Sequence, residues 1–451
     1  MENRRIRSFD DLQYASEVGG RVLTLFSGGL DSSFVLHKLR DLKCEVYALS
    51  VDVGDGDDRA SQRSIAEALG AQFVLLDRKS EFAEMAVAPA ICAQAEYLGL
   101  YPISSSLSRP IIAKAAVDLA LELECTTIVH TANQSQNSLR RLNSAIDALG
   151  FQGHYGSPYE HNAMTRQAKQ SKLVSLGLRC FTDRDVSGDA NLWCREFESG
   201  SLDNPECFDV PDRAWSWTAP AKSSAVSSAS NRSTDAPADS VLSVRFERGL
   251  PVSVDGEPMS LVPLIDRLNK HVGSYGIGRY EGLEYLNDNV KVLEIREAPA
   301  AAILLRAYRH LEMATQSAEL LREKYAIEQL WVREAIEGRW FGSIKRSADA
   351  FLQSVSQTVS GEVHFSLLAG QARLRGVNAL NACYLTDRDQ WEIDKARLCA
   401  SRSLRDYEQC SGQYSALVEE VSVTGLRGGA EGKKDRGRAA VSTVNLSEEV
   451  A

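Results

Sequence analysis

The chain has 451 residues, 44% hydrophobic and 25% charged, the composition of an ordinary globular protein with room for about three domains. Its net charge of −10 offers no overall basic surface for a nucleic-acid backbone, and no run of 18 apolar residues predicts a membrane span. The nine cysteines are odd in number, scattered and without a C-x-x-C pair, which argues against zinc, iron–sulfur or disulfide frameworks and for reduced thiols in the cytoplasm.

In chain order, Met1 to Arg5 precede no apolar stretch, so no secretory leader is expected. Apolar, β-prone runs follow at 21–26, 44–51, 72–77 and 126–130, separated by helical patterns at 32–41, 58–69 and 108–124. This alternation predicts an α/β fold with a parallel sheet. Its ligand would lie beyond the carboxyl ends of the strands, where the loops 27–33, 52–57 and 131–137 emerge. Residues 218–238 are rich in Ser and Ala and read as a surface excursion. Strand-like segments at 240–254, 290–296 and 362–376 predict a second, α+β domain. Residues 300–337 read as one long helix, with an apolar row at Leu304, Leu305, Tyr308, Leu311, Leu320, Leu321, Leu330 and Ile336. Core packing is the expected use of that row, and an oligomer seam the alternative. Residues 388–419 read as a further helix and the tail from about 422 as disordered; no internal repeat is found.

The richest local signal is Ser27-Gly28-Gly29-Leu30-Asp31-Ser32-Ser33, placed between a predicted strand and a predicted helix. Two glycines permit a tight turn with close backbone approach, and the helix start supplies free N–H groups for a phosphate. Ser27, Ser32 and Ser33 add hydroxyl donors. The string is neither a Walker A loop, which carries a lysine, nor a dinucleotide fingerprint. In its context it resembles the pyrophosphate loop of the N-type ATP pyrophosphatases, which split ATP into AMP and pyrophosphate.

Further strings extend that resemblance over residues 20–415, in order and in spacing, to the argininosuccinate synthase family. They are Ser104-Ser105-Ser106-Leu107-Ser108-Arg109-Pro110; Asn191-Leu192-Trp193 with Ser187 and Asp189 before it; Gly276-Ile277-Gly278-Arg279; and Glu297-Ala298-Pro299. The resemblance implies a HUP-type nucleotide-binding domain at 18–180, an α+β synthetase and multimerisation domain at 181–385, an oligomerisation helix at 386–420 and a homotetramer (or homodimer). It also implies small amino-acid substrates, ATP with Mg²⁺ as cofactors, and no permanent protein metal site. In that family the ureido oxygen of citrulline attacks the α-phosphate of ATP, and the amine of aspartate then displaces AMP.

By resemblance, Leu25, Phe26, Ser27, Gly28, Gly29, Leu30, Asp31, Ser32, Ser33, Val51 and Thr131 hold the nucleotide, and Asp31, Ser32 and Arg109 serve catalysis. Asp31 would orient magnesium pyrophosphate, a role compatible with capping its helix. Tyr101, Ser106, Asn137, Arg141, Ser187 and Glu284 match positions that grip the acceptor amino acid. Glu284 suits its α-ammonium and Arg141 its carboxylate.

Two acceptor positions depart from the family. Glu196 replaces a serine and Arg296 a tyrosine, either as an ion pair that substitutes for lost contacts or as readers of a different side chain. The nucleophile loop departs further. Where the family has His-Gly-Ala-Thr-Gly-Lys-Gly-Asn-Asp-Gln, this chain has His130-Thr131-Ala132-Asn133-Gln134-Ser135-Gln136-Asn137-Ser138-Leu139. The threonine and aspartate that meet the incoming amine become Asn133 and Ser138, the lysine becomes Ser135, and the glycines are gone. The expected activity is therefore an AMP-forming C–N ligase that adenylates a citrulline-like acceptor, with an altered amine. An ordinary argininosuccinate synthase and a catalytically silent nucleotide-binding scaffold are the alternatives.

Overall fold

A computed structural model describes residues 5–17, 20–42, 44–178, 187–198, 200–218, 240–286 and 290–401. Six parallel strands form the first sheet, in the order Arg5–Ile6, His154–Gly156, Cys125–Val129, Arg21–Leu25, Glu45–Asp52, Gln72–Asp77. The strands expected at 21–26, 44–51, 72–77 and 126–130 are all present, and the sheet is the expected α/β type. Glu45–Asp52 buries six consecutive residues, as a strand covered on both faces must. Neighbouring residues on these strands enter different cores. Val22, Val46, Ala48 and Val129 pack with Phe34, Ile65 and Leu173, whereas Leu23, Tyr47, Leu49 and Ile128 pack with Leu107, Ile111 and Ile146. Period-2 alternation thus makes the sheet a wall between two apolar layers.

The chain moves outward from Arg21–Leu25 through two strands, then returns to Cys125–Val129 on the other side. The carboxyl ends of those two strands are the switch point of the sheet, where a crevice opens and ligands bind in such folds. The helices beside it run Leu30–Arg40, Arg59–Ala68 and Ser105–Glu122, close to their expected positions. Pro110 lies inside the last of these and leaves the Ser106 carbonyl without its i+4 donor.

Two antiparallel sheets follow. One orders Arg279–Tyr285, Lys291–Glu297, Arg195–Glu198 and Ser187–Ala190; the other orders Glu257–Pro258, Leu250–Val254, Ser240–Glu247, Gly361–Leu368 and Gln371–Ala379. The segments expected as strands at 240–254 and 362–376 are each a hairpin. Arg248 and Gly249 turn the first at φ of 50° and 82°, and Gly370 at 71° helps to turn the second. Residues 1–382 form one compact unit, and the larger of the two apolar layers runs on from the parallel sheet to the Pro299–Thr315 helix.

The long helix expected at 300–337 is corrected by the structure to two, Pro299–Thr315 and Ala318–Ile336. Gln316 is extended, and the Ser317 hydroxyl accepts from the Leu320 N–H at 3.3 Å, starting a new helix. Leu304, Tyr308, Leu311 and Ile336 are buried as expected, but Leu320, Leu321 and Leu330 are only half-buried. Their place in the core is taken by charge: the buried Lys324 ammonium pairs with Glu312 at 2.6 Å and with Glu328. The unit 383–451 contains the helix Arg388–Ser401. The rest of the expected C-terminal helix and tail, and residues 219–238 of the Ser/Ala-rich excursion, lie outside the described residues.

Candidate active site

The phosphate loop starts where the Leu25 strand ends. The Phe26 N–H donates to the Leu49 carbonyl at 2.8 Å, which extends sheet pairing to the loop's edge. Gly28 then takes a φ of 70°, and a Cβ there would sit 2.8 Å from Gln62 Cγ, so the turn requires glycine on two counts. Gly29 is the extended N-cap of the Leu30–Arg40 helix, and the first helical bond runs from the Ser33 N–H to the Gly29 carbonyl at 3.0 Å. The free N–H groups of that first turn face outward with the positive end of the helix dipole. Ser27 Oγ accepts from the Gly29 N–H at 3.3 Å, and Ser32 Oγ donates to the Gly29 carbonyl at 3.1 Å. Gln62 braces the loop by donating to the Ser27 carbonyl at 3.0 Å, and is itself held by Ser50 and Arg59. Ser33 Oγ is buried without a hydrogen-bond partner. The cradle therefore suits a polyphosphate.

Asp31 lies in the first turn of that helix with its side chain one-third exposed. Its carboxylate pairs with the ammonium of Lys169, which the Arg166–Ser175 helix carries over the Tyr159 ring at 5.1 Å. The Tyr159 hydroxyl donates to the Asp31 carbonyl at 3.1 Å. Sequence reasoning missed Lys169: it lies 138 positions from Asp31, and nothing local distinguishes it from a solvated lysine. Of the remaining nucleotide candidates, Val51 is buried in its strand, Leu25 is half-buried at a strand end, and Thr131 is half-buried just past Cys125–Val129.

Arg109 joins three segments. Its Nη2 pairs with Asp189 at 2.6 Å and its Nε donates to Ser138 Oγ at 3.0 Å. Burial works against its charge, but Asp189 holds its pKa above the usual value. The altered loop is closed on itself. Asn133 Oδ1 accepts from the Ser135 N–H at 3.0 Å and the Ser135 hydroxyl at 2.7 Å, while Gln136 reaches Glu198 at 3.0 Å. Side-chain turns thus shape a loop from which glycines are missing.

Six of the acceptor candidates, Tyr101, Asn137, Arg141, Glu196, Glu284 and Arg296, converge on a buried ion cluster. Glu196 and Arg296 face each other across paired strands, and Nε of Arg296 lies 3.1 Å from Glu196. The two side chains are thus ion-paired with each other. Nη2 of Arg296 also reaches Glu284 at 2.7 Å and Glu294. The other Glu284 oxygen accepts from Arg141 at 2.8 Å and from Asn137 at 2.9 Å. Arg141 completes its bonds on Ser105 Oγ at 3.0 Å and the Ile336 carbonyl at 2.9 Å. The guanidinium of Arg296 stacks 4.1 Å from the Tyr101 ring, whose packing needs Gly282: a Cβ there would come 2.1 Å from Tyr101 Cε1. Ser106 is buried in the Ser105–Glu122 helix, and the backbone of Ser187 pairs opposite Glu198.

Two arginines meet three glutamates here, which leaves one negative charge in excess. Burial raises the Glu284 pKa, but Arg141 and Arg296 outweigh it and hold the carboxyl at about 2. Burial pushes Glu196 up despite Arg296, and burial together with Glu284 pushes Glu294 well above the carboxylate range. Sequence reasoning missed Glu294 and Ser105. The strand period was the available signal for Glu294, since residues two apart share a face of a strand.

Comparison with known proteins bears on the family of the chain. A model of the arginosuccinate synthase N-terminal HUP domain matches residues 21–172, and one of the arginosuccinate synthase C-terminal domain matches 186–400. The argininosuccinate synthase of Rubrobacter xylanophilus is 35% identical over 372 residues, 82% of this chain and 88% of that protein. Those of Dehalococcoides mccartyi and Pyrococcus furiosus are 33% and 31% identical, over 79% and 81% of this chain and 86% of each relative.

Proposed function

The chain belongs to the argininosuccinate synthase family, and from that membership we propose that it is an ATP-dependent, AMP- and pyrophosphate-forming C–N ligase. It adenylates the oxygen of a ureido or amide acceptor and couples the activated carbon to an amine. The observation that carries this reading is the phosphate loop. Gly28 and Gly29 open the helix start, the Ser27 and Ser32 hydroxyls bond to its backbone, and Asp31 with Lys169 flanks it. ATP would lie with its phosphates on that loop and its base beyond Val51.

Attack by the acceptor oxygen on the α-phosphate forms a P–O bond and breaks the bond to the β-phosphate. The leaving pyrophosphate gathers negative charge, which the helix N–H groups, the hydroxyls and the Lys169 ammonium are placed to meet. Mg²⁺ would arrive with the nucleotide, steered by the exposed part of Asp31. An amine then attacks the adenylated carbon and AMP leaves with the oxygen. Positioning and charge stabilisation supply the catalysis, and no covalent enzyme intermediate is needed. Arg109, clamped between Asp189 and Ser138, positions the acceptor helix against the nucleophile loop.

The self-bonded Asn133–Ser135 turn and the neutral Ser138 support an amine other than aspartate. The names of the relatives favour a second reading, the joining of citrulline to aspartate. The same reading puts the protein in the cytoplasm as a homotetramer or homodimer, with a nucleotide-binding domain at 18–180 and a synthetase and multimerisation domain at 181–385. Incubation with ATP, Mg²⁺ and panels of ureido acceptors and amines, with AMP and pyrophosphate measured, tests the proposal. Failure of every pair to yield AMP while nucleotide still binds refutes it, and efficient turnover of citrulline with aspartate establishes the second reading.

A further inference from the structure

The buried cluster around Glu284 has the charge pattern of an amino-acid head, built from the protein's own side chains. A free α-ammonium arriving at Glu284 would find one oxygen taken by the Arg296 guanidinium at 2.7 Å and the other by Arg141 and Asn137. A free α-carboxylate arriving at Arg141 would find its nitrogens on Glu284, Ser105 and the Ile336 carbonyl. All of these side chains are buried: Arg296 is 2% exposed, Arg141 and Glu284 3%, Glu196 8%. The strand pairing that sets Glu196 opposite Arg296, and the Tyr101 ring 4.1 Å below the guanidinium, hold the arrangement in place. Admitting a zwitterion would break several charge-assisted bonds before any new one formed.

We propose that Arg296 is the specificity-determining residue of the acceptor site: its guanidinium occupies the seat of a substrate ammonium. The acceptor of this chain is therefore a ureido or amide compound without an α-amino-acid head. This rests on the ligase reading above, and its first test reads binding, with turnover used to separate the two readings. Citrulline and N-butylurea, which share the ureido group and differ in the head, are titrated by calorimetry into the full chain with a non-hydrolysable ATP analogue bound. N-butylurea binds the wild-type protein and citrulline does not.

The double variant Arg296→Tyr with Glu196→Ser removes the seated cation together with its partner, and should gain citrulline affinity by about 10- to 100-fold. Circular dichroism confirms its fold, and the single variant Arg296→Gln, expected to gain in the same direction, serves if the double variant is unstable. Citrulline binding to the wild type as tightly as N-butylurea overturns the proposal, as does a folded double variant without any gain. If the double variant gains citrulline affinity while no acceptor releases AMP from either protein, the ligase reading fails and the seat assignment stands. If the wild type turns over citrulline, the seat assignment fails and the ligase reading stands.

Discussion

Glu284→Gln removes one charge from the cluster at nearly constant volume, and its cost follows from the titration of the carboxyl. The folded-state pKa of about 2 lies below the ordinary 4.5 because two guanidiniums share this carboxylate. A depressed carboxyl stabilises the folded state fully above its unfolded pKa, and the contribution fades as pH falls toward the folded one. A shift of that size corresponds to about 3 kcal/mol at neutral pH, and a large part of it is lost by pH 3. Urea unfolding of both proteins at pH 7 and at pH 3, with folding followed by tryptophan fluorescence, measures the difference. The variant should unfold at markedly lower urea at pH 7, and the gap should narrow by about half at pH 3. A gap under about 0.5 kcal/mol at pH 7, or one independent of pH, would refute the assignment of Glu284 as the shared anchor of Arg141 and Arg296.

Asp31→Ala should abolish ATP–pyrophosphate exchange while leaving the circular dichroism spectrum unchanged; retained exchange would remove Asp31 from the mechanism. Lys169→Met takes away the cation beside Asp31 and should slow exchange by about 10- to 100-fold, with Lys169→Arg recovering part of the loss; an unaltered Lys169→Met rate would reduce Lys169 to a structural pair. Gly282→Ala drives a methyl group into the Tyr101 ring and should cost about 1–3 kcal/mol of stability in thermal or urea unfolding, and a neutral result would contradict the packing described.

The loop at 27–33 was legible because its chemistry is local. A strand, two glycines and a helix start are written in consecutive residues, and the structure places them accordingly. The parallel sheet was legible for a similar reason, since each strand is a short apolar run with turn residues at its ends. The break at Gln316 falls where the apolar row itself pauses, between Leu311 and Leu320, and the hydroxyl of Ser317 decides the matter by capping a new helix. The buried charges at Lys324, Glu312 and Glu328 were hidden, since a charged residue in a helix pattern reads as a solvated one until its partners are known.

What the sequence by itself determined is the family, the sheet and the phosphate loop, all of which rest on neighbours along the chain or on ordered strings. What only the tertiary structure decided is how the acceptor side is used. Glu196 and Arg296 stand 100 positions apart and Arg141 and Glu284 stand 143 apart, yet each pair is bonded. Lys169 reaches the phosphate loop across 138 positions. Electrostatic pairing depends on distance in space and on exclusion of water, and neither is a property of sequence spacing.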